Sequence, residues 1–188
     1  VKANKVTWPL MYKEIGNDLN SLYNKINSTN KTIVSFLKEN GLEENEITVN
    51  APEIIDMNAE RYSSNQSNYR YNVTQVITVA SSKVDLVRRL INEQSELLKQ
   101  GIAITSGDYM YRVQYEYTDL NSIKPQMIEE ATKNARTAAL KFASDSDSKL
   151  GKIKRASQGQ FSITNRDEYT PYIKKVRVVT TIDYFLIN

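Results

Sequence analysis

Residues 125–151 read PQMIEEATKNARTAALKFASDSDSKLG, from Pro125 to Gly151. Met127, Ile128, Ala131, Ala135, Ala138, Ala139, Phe142 and Ala143 recur every three to four residues, the spacing of one helix face. Alanine puts little side chain between a helix and its support. The stripe therefore predicts a helix lying close on a sheet, with Phe142 and Leu150 anchoring its far end. Pro125 suits the first turn of such a helix, where a missing N–H costs nothing. This is architecture, and no chemistry follows from it.

Upstream of that helix, residues 5–15 (KVTWPLMYKEI) have strand composition, and Pro9, which cannot donate to a ladder, predicts an edge strand or a bulge. Asn17 or Asp18 then offers an N-cap. Leu19, Leu22, Tyr23, Ile26, Ile33, Phe36 and Leu37 form the apolar stripe of a long helix that closes at Gly41, with Leu42 packing back on its last turn. Residues 47–55 return to strand character, broken at Pro52, and pair as a long-tipped hairpin with residues 69–80. There Tyr71, Val73, Gln75, Ile77 and Val79 alternate with Asn72, Thr74, Val76 and Thr78. The polar run between them, residues 56–68, reads as a loop. Ser82 and Asp85 approximate a capping box that opens a second helix ending at Gly101. Tyrosines alternate with polar residues from Tyr109 to Tyr117, which predicts a half-buried strand.

Downstream of Gly151, strands are predicted over residues 153–163 and 174–187, separated by a turn through Asp167 and Pro171. The last (VRVVTTIDYFLI within it) is apolar on both faces and reads as central in its sheet. The order is β-α-β-β-α-β-α-β-β. It predicts an α+β fold, a mixed and mostly antiparallel sheet packed with three helices, in a single domain over residues 1–188.

Composition narrows the chemistry. The 188 residues include neither cysteine nor histidine. The chain's own residues therefore cannot supply a thiol nucleophile, a disulfide, a Cys/His zinc site or a His-based triad. A carboxylate or lysine mechanism survives, but no carboxylate pair is fixed by spacing. Glu129 and Glu130 point about 100° apart on a helix, and Glu116 has no assigned partner. Asp145 and Asp147 fall in a run that lacks the glycine and the bidentate glutamate of a calcium loop. No enzyme, metal or cofactor is predicted. The net charge of +3 comes from interspersed Lys, Arg, Asp and Glu, so nucleic acid is not an expected partner. No stretch approaches the roughly twenty apolar residues of a membrane-spanning helix.

Three weaker signals remain. Arg61, Tyr62, Tyr69, Arg70 and Tyr71 flank the polar loop and form a candidate ligand or partner surface, with stacking tyrosines suited to a small ligand or a glycan. Lys152, Lys154 and Arg155 would meet Lys174, Lys175 and Arg177 in a basic patch if the last two strands form a hairpin. The sequons at Asn27, Asn30, Asn65 and Asn72 would matter only in a glycosylating secretory pathway.

Several of these packing patterns occur in a familiar order. They are the Gly41-Leu42 turn followed by Ile47, the YRYN-x-T-x-x-I-x-V strand from Tyr69 to Val79, the EEA-x-x-NA-x-x-x-A helix leading to Leu150-Gly151-x-Ile153, and the closing VRVVTTIDYFL. Together they resemble the SIMPL domain family, which includes bacterial YggE-like proteins, over nearly the whole chain. Family members usually begin with a further strand carrying a V-x-G-x-G-like segment, so the resemblance implies an upstream segment before Val1. It also implies an exported bacterial protein, periplasmic or otherwise envelope-associated, with no established enzymatic activity, a loose link to stress tolerance and a tendency to form homo-oligomers or bind a protein partner. It supplies no site residue.

Overall fold

The computed structural model describes residues 1–59, 68–105 and 109–187. The fold is α+β, and it divides into two compact units, residues 4–115 and residues 1–3 with 116–188.

In the N-terminal unit the predicted alternation is realised on β1 (Lys5–Gly16) and β4 (Tyr71–Ser81). They pair antiparallel from Val6↔Ser81 to Gly16↔Tyr71. Val6, Trp8, Leu10 and Tyr12 are buried on one strand, and Val73, Gln75, Ile77 and Val79 on the other. Register partners share a face, so these eight side chains line one side of the sheet. β2 (Ile47–Val49) and β3 (Glu53–Asp56) both pair with β4, split at Pro52 as the sequence predicts. β1 is not an edge. It lies between β4 and β5 (Gln114–Glu116), and Met11 adds a bridge to Thr105. On the β5 side the pairing is short, which leaves room for a proline in the ladder.

Helix α1 (Leu19–Glu39) places Leu22, Ile26, Ile33, Phe36 and Leu37 inward. Asp18 caps it, accepting from the Ser21 N–H at 2.7 Å. Its end is a Schellman turn, with Gly41 at φ 100°, Gly41 N–H to Lys38 O at 3.0 Å and Leu42 N–H to Leu37 O at 3.1 Å. The predicted second helix is two pieces, α2 (Val84–Glu93) and α3 (Ser95–Lys99), joined at Gln94. The residue at the cap is Lys83, which makes no side-chain cap bond, and Ser81 Oγ accepts from the Lys83 N–H at 2.9 Å. The predicted strand from Tyr109 to Tyr117 is also shorter. Residues Tyr109–Tyr111 form a 3-10 turn that stacks the Arg112 guanidinium 4.7 Å from the Tyr109 ring. Residues three apart meet in such a turn and diverge in a strand.

The capping box of this unit lies elsewhere, at Glu43 and Glu46, where the Glu43 N–H donates to Glu46 Oε2 at 2.8 Å. Ser81 Oγ donates to Glu46 Oε1 at 2.6 Å, and Lys83 Nζ reaches Glu46 Oε2 at 2.9 Å. Burial raises the Glu46 carboxyl, but hydrogen bonds from Ser81, the Glu43 backbone and Lys83 outweigh it and hold the group below its ordinary value of 4.5. A depressed carboxyl stabilises the fold above its unfolded-state pKa and ceases to do so as pH falls through the folded value. Glu46→Gln should therefore cost about 1–2 kcal/mol at neutral pH, a deficit that starts to shrink as the pH falls below 4.5 and is gone once it has passed the lower folded-state value. Urea titrations of both proteins at neutral and acid pH check it; a deficit unchanged at acid pH would refute the assignment.

In the C-terminal unit α4 spans Leu120–Asp145, so it begins before Pro125, which sits in its second turn and leaves the Asn121 carbonyl without its helical partner. On the alanine face Ala131, Ala135 and Ala139 are half-buried, Ala138 is exposed and Ala143 is buried, and Phe142 is 76% exposed rather than an anchor. α4 packs on β6 (Lys149–Gln158) and β9 (Thr180–Ile187), which pair antiparallel with register shifts on either side of Ile153. At the first shift a Cβ on Gly151 would lie 2.8 Å from the Phe185 carbonyl, so glycine permits the close approach. The predicted strands over 153–163 and 174–187 are each divided. β7 (Ser162–Asn165) pairs with β8 (Lys174–Arg177), while among the described residues β9 pairs with β6 alone and is not central. Residues 1–3 complete the unit through a Lys2↔Ile173 bridge and an Ala3 N–H to Tyr172 O bond of 2.8 Å.

Candidate functional site

Of the five loop residues singled out in the sequence, Arg61 and Tyr62 lie outside the described residues. Tyr69, Arg70 and Tyr71 come together at the entry to β4. Arg70 is committed there: its Nε lies 3.2 and 3.1 Å from the two Asp56 carboxylate oxygens, and Nη2 donates to Asp56 Oδ2 at 2.9 Å. Its guanidinium also stands 4.9 Å from the centre of the Tyr71 ring. The Arg70 hydrogen bonds hold the Asp56 carboxyl below the usual range, and the same pairing raises Arg70. The Arg70 N–H donates to Asn17 Oδ1 at 2.8 Å, and Asn17 Nδ2 donates to the Asn68 carbonyl at 3.3 Å. These contacts pin the start of β4 to β3 and to the residue before the α1 cap. Tyr71 itself is half-buried, packed against Leu22, Ile26 and Val73.

That apolar cluster is one wall of a pocket of about 430 Å³ between α1, β4 and the β2–β3 segment. Apolar Leu19, Tyr23, Val49 and Ile54, each 46–66% exposed, rim it. Its interior carries polar side chains where the element patterns call for apolar ones. Asn30 falls between Ile26 and Ile33 on the inward stripe of α1. Gln75 falls between Val73 and Ile77 on the inward face of β4 and is 1% exposed. Tyr12, opposite Gln75 in the β1–β4 register, does not line the pocket but bonds to Asn30, which does.

These groups are tied to one another and to the backbone. The Tyr12 hydroxyl donates to the Ile26 carbonyl at 3.1 Å and lies 2.8 Å from Asn30 Oδ1. Burial, with the nearby Glu14 charge, pushes its ionisation up, so it stays a neutral donor. Gln75 Nε2 donates to the carbonyls of Asn50 at 2.7 Å and Val76 at 3.1 Å. Sequence reading put Gln75 on the correct face without remarking on it. The signal that would have found the pocket is a pair of amides interrupting two inward stripes.

A second feature is the surface of the C-terminal unit. Phe185, Leu186, Ile187 and Ile153 are 52–58% exposed on the β6–β9 ladder, and Leu140 is 48% exposed on α4. Residues 1–179 match the family described as "SIMPL: Protein of unknown function (DUF541)". The chain belongs to the SIMPL family. A search of the curated proteins gives no match. The SIMPL match runs through both units; it takes in the pocket and β6 and ends just before β9.

The remaining sequence candidates in this SIMPL chain are dispersed. The hairpin that would join the two basic groups is not made: Lys152, Lys154 and Arg155 are on β6 and Lys174, Lys175 and Arg177 on β8, in different ladders. Lys174 is buried, pushed down by desolvation, and donates to Asn165 Oδ1 at 2.6 Å. Glu129 pairs with Lys133, and Asp145 with Lys141 at 2.7 Å. Among the described residues no helix is long and apolar enough to cross a membrane, and no cluster of three or more Asp or Glu has metal-binding proximity.

Proposed function

We propose that this SIMPL protein is a non-enzymatic bacterial envelope protein, periplasmic or surface-associated, that acts by self-association and serves in stress tolerance. The observation that carries the association is the C-terminal unit. Among its described residues only Ala3, Ala143 and Lys174 are buried, while Leu140 and Phe142 of α4 and Phe185, Leu186 and Ile187 of β9 stay 48–76% exposed. A two-stranded ladder under one helix buries too little apolar surface to stand alone. Among the described residues each of β6 and β9 also has one edge without a strand partner. A second copy offering the same edge and the same apolar residues supplies both missing elements, backbone pairing and cover. Placement in the envelope rests on the resemblance to exported family members.

Glycan binding through the loop that ends at Tyr71 has less support, because Arg70 is committed to Asp56 and Tyr71 is packed into the apolar cluster. Size exclusion with light scattering, across a dilution series, tests the association. A defined oligomer that dissociates on dilution is expected. A monomer at every concentration would overturn the reading.

A further inference from the structure

We propose that the pocket under α1 binds a small neutral amphiphile, a compact aliphatic or aromatic body with a hydrogen-bond-donating head such as an alcohol or an amide, and that Gln75 receives the head. The inference is independent of self-association, since every lining residue belongs to the N-terminal unit.

The lining selects the class. None of the lining side chains carries a charge, so an ionic ligand would be desolvated with no countercharge. About 430 Å³ lies at the small end of the roughly 300–1,000 Å³ typical of small-molecule sites, too little for a folded peptide segment. The apolar wall of Leu22, Ile26 and Val73 takes the body.

The polar end is specified by hydrogen-bond geometry. Both partners of the Gln75 amide are backbone carbonyls, which only accept, so the nitrogen must face them and the orientation is fixed. Oε1 makes none of the described hydrogen bonds. It is not among the buried side-chain atoms left without a partner, so it reaches the open space of the pocket as an acceptor that leucine would not offer. A guest hydroxyl or N–H gives it a donor. Asn30 reverses the arrangement across the pocket: its Oδ1 accepts from the Tyr12 hydroxyl and its Nδ2, a donor, is unspent among the described bonds, which suits a hydroxyl head that both donates and accepts.

Three probes of one shape separate the possibilities: 2-naphthol, which donates; 2-methoxynaphthalene, which does not; and 2-naphthoate, which is charged. Each is titrated into the whole chain by calorimetry and by amide NMR. The expected result is saturable binding of 2-naphthol with shifts concentrated on α1 and β4, and at least about tenfold weaker binding of the other two. Gln75→Leu should abolish the preference for naphthol over its ether. Ile54→Trp, at the exposed rim, should block all three and leaves the buried face untouched if Gln75→Leu fails to fold. No saturable naphthol binding, naphthoate binding as tightly, or a donor preference that survives Gln75→Leu would each overturn the proposal.

Discussion

Leu10→Ala should destabilise the N-terminal unit by about 2–5 kcal/mol, whereas Tyr109→Ala in the same unit should cost less than about 1 kcal/mol. Leu10 is fully buried at the centre of β1, opposite Ile77, so its truncation removes transfer energy and leaves a cavity between sheet and helices. Tyr109 is 78% exposed, and its one described partner is the Arg112 guanidinium over its ring. Trp8, the chain's one tryptophan, is 3% exposed two residues from Leu10 and reports this unit's unfolding by fluorescence. Urea midpoints read at Trp8 should therefore fall sharply for Leu10→Ala and hardly move for Tyr109→Ala. Equal midpoints for the two variants would mean that the inward face of β1 is not the centre of the core.

The contrast marks where the sequence was legible. Local signals held: the Asp18 cap, the Gly41-Leu42 ending and the alternation on β1 and β4 depend on neighbours within a few residues, and the chain carries those neighbours with it. Tyr109 to Tyr117 alternates just as cleanly, yet its first turn is curled by a contact between Tyr109 and Arg112, and periodicity does not register a partner three residues away. Phe142 lies on the apolar stripe of α4, but a stripe says what would gain from burial and not what arrives to bury it. The pairing of β6 with β9, and of β7 with β8, is set by contacts between distant segments that no window contains. The pocket was half legible. Gln75 and Asn30 interrupt apolar stripes in plain view, but that both interruptions face one pocket depends on the pairing of Tyr12 with Gln75 and on where α1 crosses the sheet.

Phe185→Asp should weaken self-association by about thirtyfold or more, the loss expected when a central aromatic contact of an interface is replaced by a charge that must be stripped of water. The substitution isolates the interface because the strand accepts it. Asp183 already stands exposed on β9, Phe185 is 52% exposed, and Lys154, which lies 5.9 Å from the ring centre, can pair with the new carboxylate in the monomer. The unit therefore loses no internal packing that Phe185 supplied at depth, while a second copy meets a desolvated charge in place of an apolar ring. Light scattering across a dilution series should show the variant dissociating at correspondingly higher concentration, with the Trp8 urea midpoint of the dilute protein unchanged. An oligomer that resists dilution as the parent does would remove Phe185 from the interface. The same result with Phe142→Asp, which places the charge on α4, would remove the apolar surface of the C-terminal unit as the site of assembly and leave strand-edge pairing as its basis.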